Sequence, residues 1–379
     1  MPTLRTGQIS MDKWFLISNE SDVSTPSVLL YPDRISQNIT RMIQVVGGDP
    51  SRLCPHVKTH KLAQVLRLQI DQGINRFKCS TIAECEMSAA AGARQVLLAY
   101  PLLGPNVERF LKLQRLYPKT AFAALADNPR ALSDAASVAV RAGESITFLM
   151  DLNVGMNRTG ILPDDSAFDL YQILSRTPGV KPGGLHVYDG HLHQSDETTR
   201  RAAWQSAVLP VWRLRDQLVA AGLSLPRLVC GGTPTMAFWA GVPGVECSAG
   251  TPVLYDFGQP NNNPELSFSP AAVIVTRVIS RPTADTVCLD LGHKAIASEM
   301  PHPRVRFFGL ENAEYVTHSE EHMVIRHPDC GRLAIGQMIY GLPKHICPTM
   351  ALHQWAGVVR NGFCADYWEV VARARKITV

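Results

Sequence analysis

The sequence predicts an α/β fold in two parts, a (β/α)8 TIM-type barrel followed by an all-β domain. Three observations predict it. Apolar runs of strand length recur at intervals of roughly 20 to 40 residues with helical stretches between them, the pattern of a closed barrel. Counting from Leu53 there are eight such runs, the number a closed barrel needs. After about residue 265 helical periodicity nearly vanishes and short strands with turns take over.

Taken in order, Ser24 to Tyr31 reads as a strand. Asp33 to Val46 reads as an amphipathic helix with Ile35, Ile39, Met42, Ile43 and Val46 inward. The eight barrel runs are Leu53–Val57, Phe77–Cys79, Gln95–Tyr100, Ala121–Leu125, Ile146–Leu152, Gly184–Tyr188, Leu228–Cys230 and Val245–Cys247. Leu62–Gln72, Ile82–Ala91 and Thr199–Ala221 are the clearest intervening helices. In the last third, Ala271–Ser280, Thr286–Leu291, Val305–Leu310, Met323–Arg326, Gln337–Gly341, Gly357–Arg360 and Glu369–Ala374 read as strands. Asn261-Asn262-Asn263-Pro264 marks the linker. The expected division is 1–25, a segment packing with the β-domain; 26–265, the barrel; and 266–379, a β-rich metal-binding domain. The strand before Tyr31 is left over from the barrel count.

At 379 residues the chain suits a large barrel plus an accessory domain. Its basic residues do not cluster and the net charge is only +4, which argues against nucleic acid as the main partner. No apolar run approaches the ~18 residues of a membrane span. The nine cysteines are scattered and odd in number, so a reducing cytoplasmic setting is expected rather than a disulfide framework.

Chemistry gathers at the ends of the strands, where barrel enzymes place it. Cys54-Pro55-His56-Val57-Lys58-Thr59-His60-Lys61 delivers two lysines and two histidines past the first run. Asp151 to Gly160 follows the fifth run and carries Arg158 in a glycine-rich turn, able to donate to a flat anionic ligand. His186-Val187-Tyr188-Asp189-Gly190-His191-Leu192-His193 ends the sixth run, and alternation points His186 and Tyr188 into the barrel mouth. His191 and His193 are candidates for a base or metal ligands. After the seventh run, Gly231-Gly232-Thr233 suits a phosphate, since glycines let backbone amides approach it and threonine adds a hydroxyl. Gly250 and Thr251 supply a second half after the eighth run, where barrels commonly bind phosphate. His345 and Cys347, read as an extended His-x-Cys, point the same way and suit one shared metal.

Together with Thr25-Pro26-Ser27-Val28-Leu29-Leu30-Tyr31, these motifs resemble the D-threonine aldolase and D-serine dehydratase family, whose fold is that of alanine racemase. The resemblance runs from about Thr25 to the C-terminus and rests on at least six separated motifs. It implies pyridoxal 5'-phosphate held as a Schiff base on Lys58, with Arg158 and Tyr188 at the cofactor ring. Whether Arg158 meets the pyridine nitrogen or the phenolate stays open. It implies phosphate contacts from Gly231, Gly232, Thr233, Gly250 and Thr251, and a divalent metal at His345 and Cys347. Thiolate favours zinc over manganese or magnesium.

The substrate class implied is a small-molecule 3-hydroxy-D-amino acid. Retro-aldol cleavage to glycine and an aldehyde is favoured by the Tyr188-Asp189-Gly190 spacing, and dehydration to a 2-oxo acid and ammonia is the alternative. The resemblance also implies a homodimer with the site between subunits. Three departures stand out: Cys54 where the family commonly has arginine, Pro252 where it has tyrosine, and Cys347 where the aldolases more often have aspartate. Glu320-Glu321-His322 and Trp368 to Arg373 resemble family stretches as well.

Overall fold

The computed structural model describes residues 13–259 and 266–379; the expected linker, Asn261 to Pro264, lies outside them. In chain order the strands are β1 (Ser27–Leu30), β2 (Arg76–Cys79), β3 (Gln95–Pro101), β4 (Ala121–Ala126), β5 (Ile146–Leu152), β6 (Val180–Val187), β7 (Leu228–Cys230) and β8 (Glu246–Cys247). They continue with β9 (Ala272–Thr283), β10 (Thr286–Leu289), β11 (Val305–Phe307), β12 (Glu314–His318), β13 (Met323–Arg326), β14 (Met338–Pro343), β15 (Trp355–Arg360) and β16 (Phe363–Glu369). The helices are α1 (Pro32–Val45), α2 (Ala63–Asp71), α3 (Ile82–Ala90), α4 (Asn106–Leu116), α5 (Pro129–Arg141), α6 (Asp165–Arg176), α7 (Glu197–Ala220), α8 (Met236–Ala240) and α9 (Ile346–Leu352).

Strands β2 to β8 form one parallel sheet in sequential order. The eighth stave is the segment Leu53–His56, which is joined on each side by a single bridge: Leu53 to Cys247 of β8 and His56 to Lys78 of β2. Cys54 N donates to Cys247 O at 2.9 Å, and Lys78 N donates to Pro55 O at 3.0 Å. Pro55 carries no N–H, so this stave cannot make a full ladder. It closes the ring while leaving its far end free to turn. Cys54, Leu97, Ala123, Leu125, Leu149 and Val229 fill the interior as a separate buried cluster, as the inward residues of a small barrel must.

The second sheet runs β12-β13-β10-β9-β1-β15-β16, with β14 pairing β9 and β11. The strand left over from the barrel count is β1, which lies antiparallel to β9 and parallel to β15. The chain therefore starts in the second sheet, winds the barrel, and returns. Trp14 and Phe15 pack on Tyr31, Phe308 and Tyr340 beside that sheet.

Three expectations for the β-domain change. The strand expected over Glu369–Ala374 lies earlier: β16 ends at Glu369, and Val371–Arg373 is a 3-10 turn. Strand β12 has largely exposed residues, so it lacks the apolar run that would reveal it. The His345-x-Cys347 segment is not extended: His345 caps α9 and Cys347 sits in its first turn. Pro348 hid this helix, yet proline is tolerated in a first turn, where amide protons have no intrahelical acceptor.

Candidate active site

The first stave ends in a 3-10 turn, Val57–Thr59, which His56 opens by accepting from Lys58 N at 3.4 Å. Lys58 is thereby lifted half-exposed into the mouth while its neighbours Val57 and Thr59 are fully buried. Burial first, then the charges of Lys58 and Lys78, holds His56 well below the usual histidine range. Burial likewise takes His60 down to about 3, so both rings are neutral at pH 7 and the positive charge rests on the lysines. Lys61 is removed from contention by its ion pair with the buried Glu84.

Tyr188 lies at the centre of the mouth. Lys58 Nζ is 5.9 Å, Lys78 Nζ 5.2 Å and Arg158 Cζ 5.1 Å from its ring centroid. Gly190 is required here, because a Cβ would fall 2.3 Å from Tyr188 Oη. The Arg158 loop is braced from within: Asn153 Oδ1 accepts from Gly155 N at 3.0 Å and from Asn157 N at 3.1 Å. Thr159 Oγ1 donates to Asp151 at 2.8 Å, and Gly160 N donates to Asp127 at 2.9 Å. Arg158 itself is exposed. His191 leans on this loop, with Gly155 lacking the Cβ that would meet its Nε2 at 2.8 Å. His191 Nδ1 is enclosed without a partner, whereas His193 is exposed. The structure thus separates the two candidate histidines.

The phosphate end differs in detail from expectation. Gly231 N donates to Val187 O at 2.8 Å and Gly232 N to Asp189 Oδ1 at 3.0 Å, so both amides are committed to the barrel. Gly231 is glycine because a Cβ would meet Trp239 at 2.4 Å. The donors left are at Thr233, Gly250 and Thr251, whose amides have no partner among the described residues; Gly250 and Thr251 open the turn Thr251–Val253. Gly250 packs directly on the first stave, since its Cβ would lie 2.4 Å from His56 O. Lys58's stave and this turn therefore form one rigid corner.

The second domain reaches the same corner. Cys347 Sγ is 3.2 Å from Thr59 Oγ1 and 3.7 Å from Thr251 Oγ1. Cys347, next to His345, thus meets the Lys58 turn within one chain. Burial alone would lower His345, but contact with Cys347 and the carboxylates of Glu299 and Asp256 lift it to about 9. Glu299 accepts from the His345 ring at Nδ1, the carboxylate–histidine arrangement that orients a ligating ring. Asp256, pushed up to about 6 by burial, accepts from Ile346 N at 2.9 Å and fixes the start of α9. The donor set suits one borderline-soft divalent ion. Among the described residues no group of three or more His, Cys, Asp or Glu is arranged to hold a metal.

Sequence reasoning pointed His186 into the mouth but missed its pairing with Asp151 and the buried Lys78 beside it. His186 Nδ1 is bonded to Asp151 at 2.7 Å, both are buried, and His186 Nε2 has no partner. Burial outweighs the pull of Asp151 and keeps His186 below its ordinary value. Lys78 is also buried, and its Nζ donates to Ser248 Oγ at 2.5 Å. The signal was available: charged residues inside otherwise apolar strand runs.

Comparison with known proteins agrees with this construction. The family described as alanine racemase, N-terminal domain, matches residues 31–249, and a putative serine dehydratase domain matches residues 271–359. The chain is 28% identical to D-threonine aldolase of an Arthrobacter species over 93% of each chain. It is 25% identical to 3-hydroxy-D-aspartate aldolase of Paracoccus denitrificans over 94% of each. It is 26% identical to D-threo-3-hydroxyaspartate dehydratase of a Delftia species, over 87% of this chain and 92% of that one; one solved form of that dehydratase is described as metal-free. The crystal structure of D-threonine aldolase from Filomicrobium marinum superposes with a TM-score of 0.85 at 26% identity, covering 94% of this chain and 98% of that one. With its barrel matched across residues 31–249, the chain belongs to the alanine racemase N-terminal domain family, and a serine-dehydratase-type domain follows that barrel.

Proposed function

We propose that the chain is a pyridoxal-phosphate- and divalent-metal-dependent lyase of 3-hydroxy-D-amino acids, cleaving the Cα–Cβ bond to give glycine and an aldehyde. The observation that carries the cofactor-and-metal part of this reading is the contact of Cys347 Sγ with Thr59 Oγ1 at 3.2 Å. It supports reading His345 and Cys347 as metal ligands working beside Lys58, while the Tyr188-Asp189-Gly190 spacing favours aldol cleavage. D-Threonine aldolase and 3-hydroxy-D-aspartate aldolase, similar along nearly the whole chain, give the substrate class.

When bound, the cofactor supplies an electron sink for a carbanion next to the amine, and the metal supplies a Lewis acid for the β-oxygen. The chain's own groups do the rest. Lys58 Nζ would hold the cofactor, and as a free amine it can carry a proton. Tyr188 offers its ring face, and Arg158 donates at the open rim. The amides of Thr233, Gly250 and Thr251 receive the phosphate, with Gly231 and Gly232 shaping the turn. His345 and Cys347 hold the metal, with Glu299 fixing the His345 ring. His191, whose ring lies against the Arg158 loop, is the candidate to take the β-hydroxyl proton, while His193, exposed, plays a lesser part.

A second reading is elimination of water, giving a 2-oxo acid and ammonia. It is favoured by one specific feature, the cysteine at position 347, and by similarity to the Delftia dehydratase. Incubating the protein with pyridoxal phosphate, a divalent metal and D-threonine decides. Acetaldehyde with glycine supports the first reading; 2-oxobutanoate with ammonia replaces it with the second. Neither product from D-threonine or from 3-hydroxy-D-aspartate would overturn the substrate class.

A further inference from the structure

Lys78 is the buried cation that this mechanism does not use. In the sheet it is in register with Leu97, and Leu97 belongs to the cluster filling the barrel interior. Neighbouring residues in register point to the same side of a sheet, so Lys78 points into the barrel. Only 2% of it is exposed. Its Nζ reaches past the first stave to Ser248 Oγ, which in turn donates to Gly231 O at 2.8 Å. The charged or titratable groups that face it are Cys54, Lys58, Asp189 and Asp151, together with His56, His186 and the thiol of Cys230.

Neither carboxylate is free to neutralise it. Asp189 accepts from Gly232 N at 3.0 Å, Thr235 Oγ1 at 2.9 Å and Trp239 Nε1 at 2.7 Å. Asp151 is engaged by His186 and Thr159. Cys54 is a buried thiol pushed up to about 12 by burial, so it supplies no negative charge at pH 7. An ammonium group this deep, with one hydroxyl partner and both facing carboxylates hydrogen-bonded elsewhere, keeps donor capacity for a further acceptor. The face it shares with Lys58 and Arg158 is the Tyr188 ring, 5.2 Å away.

We propose that Lys78 is a cofactor-binding residue: its buried Nζ, held by Ser248, donates to an acceptor on the pyridine ring, the ring nitrogen or the phenolate oxygen. The proposal rests on the reading that Lys58 carries the cofactor. Burial, which takes Lys78 down to about 8, is offset once an acceptor arrives. The cation then favours the deprotonated form of the lysine-bound cofactor.

The test uses the full chain loaded with pyridoxal phosphate, as wild type, Lys78→Met and Ser248→Ala. The pH at which the visible cofactor band titrates is measured, with cofactor affinity and borohydride reduction followed by peptide mass mapping. Removing the cation disfavours the deprotonated form, so Lys78→Met is expected to raise the band's titration by about one pH unit. Cofactor affinity is expected to weaken about tenfold. Ser248→Ala shifts the band the same way by less, and carries the test if Lys78→Met does not fold. A band that titrates unchanged in both variants overturns the proposal. So does loss of affinity alone, which would mean a phosphate contact. Reduction marking Lys58 in every protein keeps the underlying reading separate; marking of Lys78 instead, or of neither lysine, sinks that reading.

Discussion

Two lysines lie on adjacent staves of the barrel and face the same tyrosine, yet they are built for different work. Lys58 stands at the end of a stave that has run out of ladder partners, on a short turn that lifts it half-exposed. Lys78 sits within a regular strand, 2% exposed, with its charge directed inward. An amine that must attach a cofactor and release it needs room and a solvated alternative. A cation that only sets the field works best fixed and dry. The first stave provides for both: its pairing ends at His56, before the Lys58 turn, and the same segment lies against Lys78.

The largest effect that can break this comparison is at Lys58. Lys58→Ala is expected to lower turnover by about 10³-fold or more, as loss of a covalent catalytic group does. Lys78→Met should keep the cofactor on Lys58 and retain measurable turnover. Equal loss in both would erase the distinction.

Next comes the metal pair. Cys347→Ala is expected to weaken metal binding by about 100-fold or more, and Glu299→Gln by about tenfold, since removal of an orienting partner costs 10- to 100-fold. Equilibrium dialysis measures both.

The rigid corner gives a third contrast. Gly250→Ala puts a Cβ 2.4 Å from His56 O, whereas Gly232→Ala puts one at an ordinary 3.4 Å from Tyr188. The first is expected to destabilise by about 2 kcal/mol, on the scale of overpacking, and the second by much less. Thermal unfolding reads the difference.

A fourth prediction follows from burial of Lys78, whose folded value of about 8 lies below the ordinary 10.5. Between those values the unfolded chain binds the extra proton, so the stability of cofactor-free protein rises with pH across that window. The gain reaches about 3 kcal/mol at most. Lys78→Met should lack that rise; denaturant titrations at pH 7.5 and 10 compare the two. The smallest effect expected is His193→Ala, within about twofold of wild-type turnover, because its ring is exposed.

Much of this was legible in the sequence. Strand-length apolar runs placed all eight staves, since inward packing and helix cover make each run continuously apolar. That Lys58, Tyr188 and Gly250 would gather at one mouth was legible because strand ends carry the chemistry of barrels, and the resemblance pointed to His345 and Cys347 as their neighbours. Helix α9 was not, because local pattern cannot show that Asp256, ninety residues away, caps its first amides. The backbone donors left unpaired among the described residues were obscured in the same way: only the fold reveals that Val187 and Asp189 already occupy the amides of Gly231 and Gly232. Lys78 was passed over because a single lysine inside Phe77–Cys79 looks like an edge residue until the register with Leu97 turns it inward.

The central claim is that His345 and Cys347 hold a metal beside Lys58 within one chain. Loading the cofactor-bound protein with Co(II) tests it most directly, because a cobalt–thiolate bond gives a charge-transfer band in the near ultraviolet. The account predicts that band, its loss in Cys347→Ala, and its perturbation by D-threonine in the wild type but not in Lys58→Ala. A band that survives Cys347→Ala, or one indifferent to D-threonine, would contradict it.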